Sequence, residues 1–337
     1  MKDSLMSKLG IPFIFISVFL LFSSCSVRHD KTIIKLAHGL DPSHPVHQAM
    51  VFMSQRLSEK SEGQMQMDIY PSGQLGGERE LIELLQIGSL AMTKVSASPM
   101  ESFVPEMKLF SIPYVFRSED HLWQILTGQI GKDILLAGQD FRLRGLAYYD
   151  AGSRSFYTKE NPIQSPADLT GLKIRVMKSQ TAVQMVQALG GSATPISWGE
   201  LYTALQQGVV DGAENNPPSF YLSKHYEVCK FYSLDEHTSV PDVLLISTVV
   251  WNGLTSQEQQ WLQESVDESV TYQRKLWKES TDNALTAVIE AGVEVIYPEK
   301  LPFQESVKEM HESYKGSPIY ELIQQIDAIE TVKDITI

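Results

Sequence analysis

Cysteine is scarce in this sequence. Only Cys25 and Cys229 are present among 337 residues. Disulfide-stabilised secreted scaffolds carry many more cysteines, so that class of protein is excluded. We expect Cys25 to be lipidated, which leaves no pair of cysteines for an intrachain disulfide. Packing must then stabilise the fold.

Long apolar runs are scarce as well. The one clear run, residues 11–22, follows Lys2 and Lys8 and leads into Ser-Ser-Cys25. It is too short to span a bilayer as a stable helix, and its charge, length and small-residue exit are typical of a signal peptide. We predict that residues 1–25 are a lipoprotein signal peptide and that lipid on Cys25 anchors the mature chain to a membrane in the periplasm. An ordinary cleaved signal with an incidental cysteine is the alternative.

Positive charge is the third scarcity. The chain has 28 Lys and Arg against 41 Asp and Glu, a net charge of −13. An acidic protein has no general attraction to nucleic acid, so we expect no nucleic-acid partner. Arg154 and Arg175 lie among apolar or small residues in predicted strands, where an unpaired guanidinium is costly. No acidic partner is evident beside either, so a small carboxylate ligand is expected.

The remaining pattern indicates alternating strands and helices. Strands are predicted at residues 32–38, 65–69 and 90–97, and helices at 43–62 and 75–87. This β-α-β-α-β opening favours an α/β fold with helices on the faces of a sheet. Residues 211–218 are predicted to form a turn with little regular structure.

Two helix starts carry capping-box patterns, Ser197 with Glu200 and Thr255 with Glu258. After Thr255 no glycine or proline occurs before residue 292. We predict one helix about 54 Å long, at 1.5 Å per residue, which is long enough to cross two lobes. Two helices broken near Asp282 are the alternative.

A set of short motifs occurs in a fixed order along the chain. They are YPSGQLG at 70–76, ER at 78–79, IGSL at 87–90, IPY at 112–114, SPADL at 165–169, GLKIRV at 171–176, YTALQQGVVDG at 202–212 and EN at 214–215. Together they resemble the substrate-binding proteins of TRAP transporters, the tripartite ATP-independent periplasmic transporters. The resemblance covers essentially the whole mature chain.

The resemblance implies a two-lobed periplasmic-binding-protein fold with a long helix spanning both lobes. Residues 26–151 with 241–280 would form lobe I, and residues 152–240 with 281–337 would form lobe II. A monomer of this kind binds an organic acid in the cleft and delivers it to the small and large subunits of a membrane permease. It uses no cofactor or metal and catalyses no reaction.

The motifs also imply site residues. Arg175 matches the arginine that makes a two-pronged salt bridge to the ligand carboxylate, for which the guanidinium fork is suited. Arg154 matches a second cleft arginine, with a surface role as the alternative. Asn215 matches the cleft asparagine, and Asn216 is a lesser candidate. Glu214 is expected to be structural.

Further candidates are polar or aromatic. Trp198 would pack against a sugar-like ring, or else contribute to the core. Glu78 would accept hydroxyl protons and repel a second carboxylate, or else stabilise a helix N-terminus. His38, His44 and His237 are candidate ligand contacts with capping or surface roles as the alternative.

This set of groups suits a ligand with one carboxylate and several hydroxyls. We predict a hexuronate such as glucuronate or galacturonate. A C4-dicarboxylate, sialic acid, another sugar acid or a 2-oxo acid is an open alternative. An enzyme would need an ordered acid–base pair, which the sequence does not show. A sensory ligand-binding protein with the same cleft also stays open.

Overall fold

The computed structural model describes residues 31–330. The predicted signal peptide and Cys25 lie outside the described residues. Within them the strands are β1 (Thr32–Ala37), β2 (Met65–Tyr70), β3 (Met92–Ser96), β4 (Leu143–Tyr149), β5 (Arg154–Thr158), β6 (Lys173–Val176), β7 (Ser192–Pro195), β8 (Gly212–Asn215), β9 (Phe231–Thr238), β10 (Asp242–Ser247) and β11 (Glu294–Ile296).

The α-helices of the same range are α1 (Pro45–Lys60), α2 (Glu78–Gln86), α3 (Ala97–Met100), α4 (Glu119–Thr127), α5 (Gln129–Leu136), α6 (Gln180–Ala188), α7 (Trp198–Gln206), α8 (Pro217–Leu222), α9 (His225–Val228), α10 (Thr248–Trp251), α11 (Ser256–Glu290), α12 (Lys300–Ser306), α13 (Lys308–Glu312) and α14 (Pro318–Asp327). Short 3-10 helices occupy Pro105–Ser111, Gln139–Phe141 and Pro166–Leu169. None of these described helices has the length and apolarity that a membrane span needs.

The strands form two sheets, which confirms the predicted two-lobed α/β class. Sheet 1 has the order β2-β1-β3-β10-β4, and sheet 2 has the order β11-β9-β5-β8-β6-β7. The chain leaves sheet 1 after β4 and returns to it with β10, which runs antiparallel to β3 and β4. All strands of sheet 1 lie within residues 26–151 and 241–280, and all strands of sheet 2 lie within residues 152–240 and 281–337. The predicted lobe boundaries themselves stay a prediction.

Alternating side chains bury both faces of each sheet. On β10, Val243 belongs to one apolar cluster and Leu244 to the cluster on the other face. On β5, Phe156 and Tyr157 divide in the same way between two further clusters. Successive strand residues point to opposite faces, so each sheet requires helices on both sides. The late helix α14 covers sheet 1, because Ile323 joins its first cluster.

The long helix α11 is continuous over 35 residues, or about 52 Å. It begins at a formed capping box, in which Thr255 Oγ1 accepts from the Glu258 backbone and Glu258 accepts from the Thr255 backbone. It ends before Gly292, whose φ of +85° suits a helix terminus. The helix contacts α1 beside sheet 1 and α8 beside sheet 2. The prediction of one helix is confirmed, and the broken alternative is wrong.

Two short segments connect the sheets close to one another. Residues 150–153 join β4 to β5, and residues 239–241 join β9 to β10. The hydroxyls of Ser153 and Ser239 lie 3.3 Å apart. Gln273 of α11 accepts from the Asp150 amide and donates to the Asp150 carbonyl, both at 2.8 Å. The long helix is therefore bonded directly to one crossover.

Two local predictions are wrong. Residues 211–218 include β8 and the start of α8 rather than an irregular turn. The strand lies between β5 and β6, so neighbouring strands bury its polar residues and satisfy its backbone. The Ser197 capping box is also absent from the described structure, because the Ser197 side chain makes no cap bond and its carbonyl accepts from the Glu200 amide instead.

Candidate functional site

A cavity lies where the ends of the two sheets face each other. Its sheet-1 wall includes Glu78, Lys94, Ser96 and Asp242. Its sheet-2 wall includes Arg154, Arg175, Trp198, Asn215 and Asn216. Glu78, Arg175 and Trp198 also line a second cavity, so the two spaces adjoin.

Arg175 is a buried cation with unused donors. It lies on β6 and is only 2% exposed. Its Nε donates to the Ile196 carbonyl at 2.8 Å, whereas its buried Nη1 has no partner among the described residues. Burial lowers the pKa of Arg175, but a guanidinium stays charged at neutral pH. A buried donor without an acceptor is costly, so Arg175 is the side chain of the cavity lining that most needs a further partner.

Arg154 differs, because it has an acidic partner. Its Nε contacts the Glu214 carboxylate, its Nη2 donates to Glu214 Oε1 at 2.9 Å, and its Nη1 donates to Asn215 Oδ1 at 2.8 Å. The expectation that no acidic partner lies beside either arginine is wrong here. Antiparallel pairing of β5 with β8 brings together residues 60 positions apart. Burial alone would lower the Arg154 pKa, but Glu214 raises it.

Behind this pair lies His237. Its Nδ1 is 2.8 Å from Asp235 Oδ2, and its Nε2 is 3.6 Å from Glu214 Oε2. Burial would lower the His237 pKa, but the two carboxylates raise it to about 9, so the ring is protonated at neutral pH. His237 is predicted to contact ligand, yet the structure places it behind Glu214 rather than in the cavity wall.

The two asparagines are held differently. Asn215 Oδ1 accepts from Arg154 and from the Asn216 backbone at 2.9 Å, so its amide nitrogen is the group it offers to a ligand. Asn216 caps α8 by accepting from the Ser219 amide at 2.9 Å. Both asparagines line the cavity, so the fold brings these two predicted site residues together.

The sheet-1 wall holds charges that sequence reasoning missed. Lys94 Nζ lies 3.0 Å from Asp242 Oδ1 and 3.8 Å from Glu78 Oε1. Ser96 pairs with Asp242 in register and donates its hydroxyl to Asp242 Oδ1 at 3.0 Å. The available signal was a lone lysine inside a buried strand, since lysine is almost never buried without a partner.

Glu78 lies at the first position of α2 and lines the cavity. Its Oε1 accepts from the Ser96 amide at 2.9 Å. Burial raises the Glu78 pKa above its usual range, and Lys94 opposes that shift. Trp198 is half-buried at the start of α7, with its ring centroid 5.9 Å from Arg175 Cζ. Its ring therefore lies beside the Arg175 guanidinium in the cavity wall.

The two histidines near the N-terminus have different places. His44 lines the cavity and caps α1 by accepting from the Val46 amide at 3.3 Å. His38 is not in the cavity wall and instead lies 3.0 Å from His47 Nδ1. Burial lowers the pKa of His38 to about 2 and that of His44 to about 3, so both rings are neutral.

Other reactive chemistry is limited in the described range. Among residues 31–330, no group of three His, Cys, Asp or Glu side chains is arranged to hold a metal ion. Cys229 is buried, and burial raises its pKa to about 12, which leaves the thiol unreactive.

Two sheets, a helix that contacts both sides and a cavity lined from both sheets are the features of a two-lobed solute-binding protein. The chain also matches the family model of bacterial extracellular solute-binding proteins, family 7 (DctP), over residues 36–317. The protein belongs to this family, which supplies the solute-binding components of TRAP transporters.

Individual relatives agree over most of their length. The chain is 39% identical over 318 residues to the uncharacterised protein YiiZ of Salmonella typhimurium, covering 93% of this chain and 97% of that one. A TRAP periplasmic solute-binding protein from Bradyrhizobium, solved with galacturonate, is 40% identical with a TM-score of 0.85, covering 88% of this chain and 99% of that one. One from Pseudomonas putida, solved with D-glucuronate, is 36% identical with a TM-score of 0.86, covering 89% and 98%.

Proposed function

We propose that the protein is the extracytoplasmic binding component of a TRAP transporter and that its ligand is a hexuronate, either galacturonate or glucuronate. The observation that carries this proposal is that Arg175 lines the cavity and that its buried Nη1 has no partner among the described residues. The ligand carboxylate would bind this guanidinium through charge-assisted hydrogen bonds.

The charges of the cavity favour a single carboxylate. Arg154 is paired with Glu214, and Lys94 is paired with Asp242, so Arg175 is the cation left over in the wall. A second carboxylate on the ligand would approach Asp242 and the Glu78 carboxyl, which would repel it. This balance disfavours a C4-dicarboxylate and favours a monocarboxylate with neutral polar groups.

The polar groups match a hydroxylated ring. Asn215 supplies an amide donor, the sheet-1 wall supplies both donors and acceptors, and Trp198 supplies an aromatic face. The solved relatives with bound galacturonate or glucuronate, 36–40% identical, support the same assignment. Their ligands belong to those proteins, and the geometry described above is the reason to extend them to this one.

The transport cycle follows from the two walls. Lobe I is residues 26–151 with 241–280, and lobe II is residues 152–240 with 281–337. Ligand contacts on both walls would favour the closed arrangement of these lobes, with bending at residues 150–153 and 239–241. Lipid on Cys25 would hold the monomer at the membrane in the periplasm. The closed form would deliver the acid to the small and large permease subunits, without catalysis or a cofactor.

The proposal is tested by calorimetry on the mature chain with galacturonate, glucuronate, sialic acid and succinate. We expect the hexuronates to bind most tightly. Arg175→Ala should lose about 3–5 kcal/mol of binding free energy, because the carboxylate is left without its partner. Arg175→Lys should not restore affinity, because an ammonium lacks the guanidinium fork.

The matched control is Arg56→Ala. Arg56 is a partly exposed arginine in ion pairs with Glu59 and Glu268 on the surface, far from the cavity lining. It should bind the hexuronate like the native protein. Tighter binding of succinate than of either hexuronate, or native affinity in Arg175→Ala, would contradict the proposal.

A further inference from the structure

We propose that Lys94 and Asp242 form a paired donor and acceptor that selects a vicinal diol on the ligand, at the end remote from Arg175. This inference rests on the proposed function and adds to it the residues that determine which sugar acids are accepted.

Lys94 has an N–H donor that its contacts with the protein do not use. Lys94 is 3% exposed, and its Nζ lies 3.0 Å from Asp242 and 3.8 Å from Glu78. An ammonium has three N–H donors, and these two contacts use at most two of them. Lys94 also lines the cavity, so the third donor is available to a ligand hydroxyl.

The acceptor side has capacity as well. Asp242 Oδ1 receives both the Lys94 ammonium and the Ser96 hydroxyl. A carboxylate has two oxygens and about four lone-pair sites, so Asp242 Oδ2 can accept from a hydroxyl. Asp242 is 5% exposed and lines the same cavity. A donor and an acceptor therefore stand side by side in one buried wall.

A diol suits this pair better than the alternatives. Adjacent hydroxyl oxygens on a sugar ring are spaced much like hydrogen-bonded atoms, so one can accept from Lys94 while its neighbour donates to Asp242. A ligand carboxylate could accept a hydrogen bond from Lys94, but the neighbouring Asp242 carboxylate would repel it. A lone hydroxyl would leave one member of the pair facing the cavity without a ligand partner.

The placement of the pair has a consequence for closure. Arg175 belongs to the sheet-2 wall, whereas Lys94 and Asp242 belong to the sheet-1 wall. A ligand that carries both a carboxylate and a diol contacts both walls and favours the closed state. An acid without the diol would contact only the sheet-2 wall.

The test combines ligand and protein changes in one cycle measured by calorimetry. The ligands are the tighter-binding hexuronate and its 2-, 3- and 4-deoxy analogues. For the native protein, removal of a hydroxyl that belongs to the diol should weaken binding tenfold or more. In Lys94→Met, removal of the hydroxyl that accepts from Lys94 should change the affinity by less than about threefold, because that hydroxyl has already lost its donor.

Lys178→Met is the matched control. Lys178 is a partly exposed lysine 3.8 Å from Glu80 at the adjoining outer cavity, and this variant should keep the full native penalty for each deoxy analogue. Asp242→Asn, which keeps the shape of the side chain, provides a second cycle if Lys94→Met does not fold.

The outcomes separate the two proposals. If the native protein binds the hexuronate and no deoxy analogue is weakened, or if the penalty is unchanged in the folded variants, the diol inference is overturned and the proposed function stands. If the native protein binds no hexuronate, both are overturned. Loss of the deoxy penalty in Lys94→Met but not in Lys178→Met supports the inference.

Discussion

The two walls of the cavity are built from similar charges with different balance. In the sheet-1 wall, Lys94 is matched by Asp242, and Glu78 lies nearby. In the sheet-2 wall, Glu214 forms a salt bridge with Arg154, whereas Arg175 has no acidic partner among the described residues. Burial is equally strong in both, so burial alone does not distinguish the two walls. The unmatched charge of Arg175 does, and the proposed carboxylate site rests on it, because a buried ion without a charged partner is costly.

The largest expected effect on stability comes from removing the Glu214 carboxylate, which pairs with Arg154 in the sheet-2 wall. Glu214→Gln leaves the buried Arg154 without its carboxylate partner and leaves the buried His237 with Asp235 alone. We expect the free energy of unfolding to fall by about 3–5 kcal/mol, measured by denaturant titration. Glu200→Gln, on an exposed position of α7, should stay within about 0.5 kcal/mol of native. Equal stability of the two variants would show that the buried pair is not required.

Arg175 should respond in the opposite sense to its paired neighbour. Arg175→Met removes a buried cation that lacks a full set of partners, so the ligand-free protein should gain about 1–2 kcal/mol of unfolding free energy while losing its ligand. Arg154→Met should instead destabilise, because Glu214 remains buried without its guanidinium. Thermal denaturation without ligand checks both. If the two variants shift in the same direction, the contrast between the arginines is wrong.

A smaller effect concerns pH. The folded-state pKa of His237, raised to about 9 by Asp235 and Glu214 against the lowering effect of burial, lies above the ordinary value of 6.5. Its protonation therefore stabilises the fold fully below about pH 6.5, and this contribution is lost as the pH rises through about 9. Unfolding measured from pH 6 to 10 should show the decline, and His237→Gln should flatten it. A native curve as flat as that of the variant would refute this assignment.

The smallest effect is expected at Glu78. Burial raises its pKa, so the carboxyl ionises at a higher pH than usual, and ionisation puts a negative charge in the wall that faces an anionic ligand. Hexuronate affinity should fall modestly as the pH rises through this raised pKa. Glu78→Gln should remove that dependence while keeping affinity within about threefold of native. A steeper pH dependence in the variant would argue against the role of Glu78.

Local sequence patterns predicted an element correctly where its conformation depended only on residues within that element. The helices α1 and α2 lie where the sequence pattern predicted them, within a few residues. The long α11 follows from the Thr255 cap and the absence of glycine and proline. The pattern failed at β8, whose polar sequence suggests a turn, because its strand conformation depends on burial between β5 and β6.

The candidate site divides in the same way. Arg154, Arg175, Asn215, Trp198, Glu78 and His44 all reach the cavity wall, whereas His38 and His237 lie behind it. No local signal separates the two groups, because histidines in strands look alike whether they face a cavity or a buried carboxylate. Asp242 was missed altogether, since its role depends on pairing with β3.

The sequence by itself determined the helix starts and stops, the α/β pattern and the arginine of β6, because these depend on neighbours a few positions along the chain. Only the tertiary structure decided which charges are matched. The partners Arg154 and Glu214, and likewise Lys94 and Asp242, are far apart in the chain and meet only when their strands pair. Electrostatic interaction depends on distance in space, so the difference between the paired Arg154 and the unpaired Arg175 in the cavity wall could be identified only after the sheets had formed.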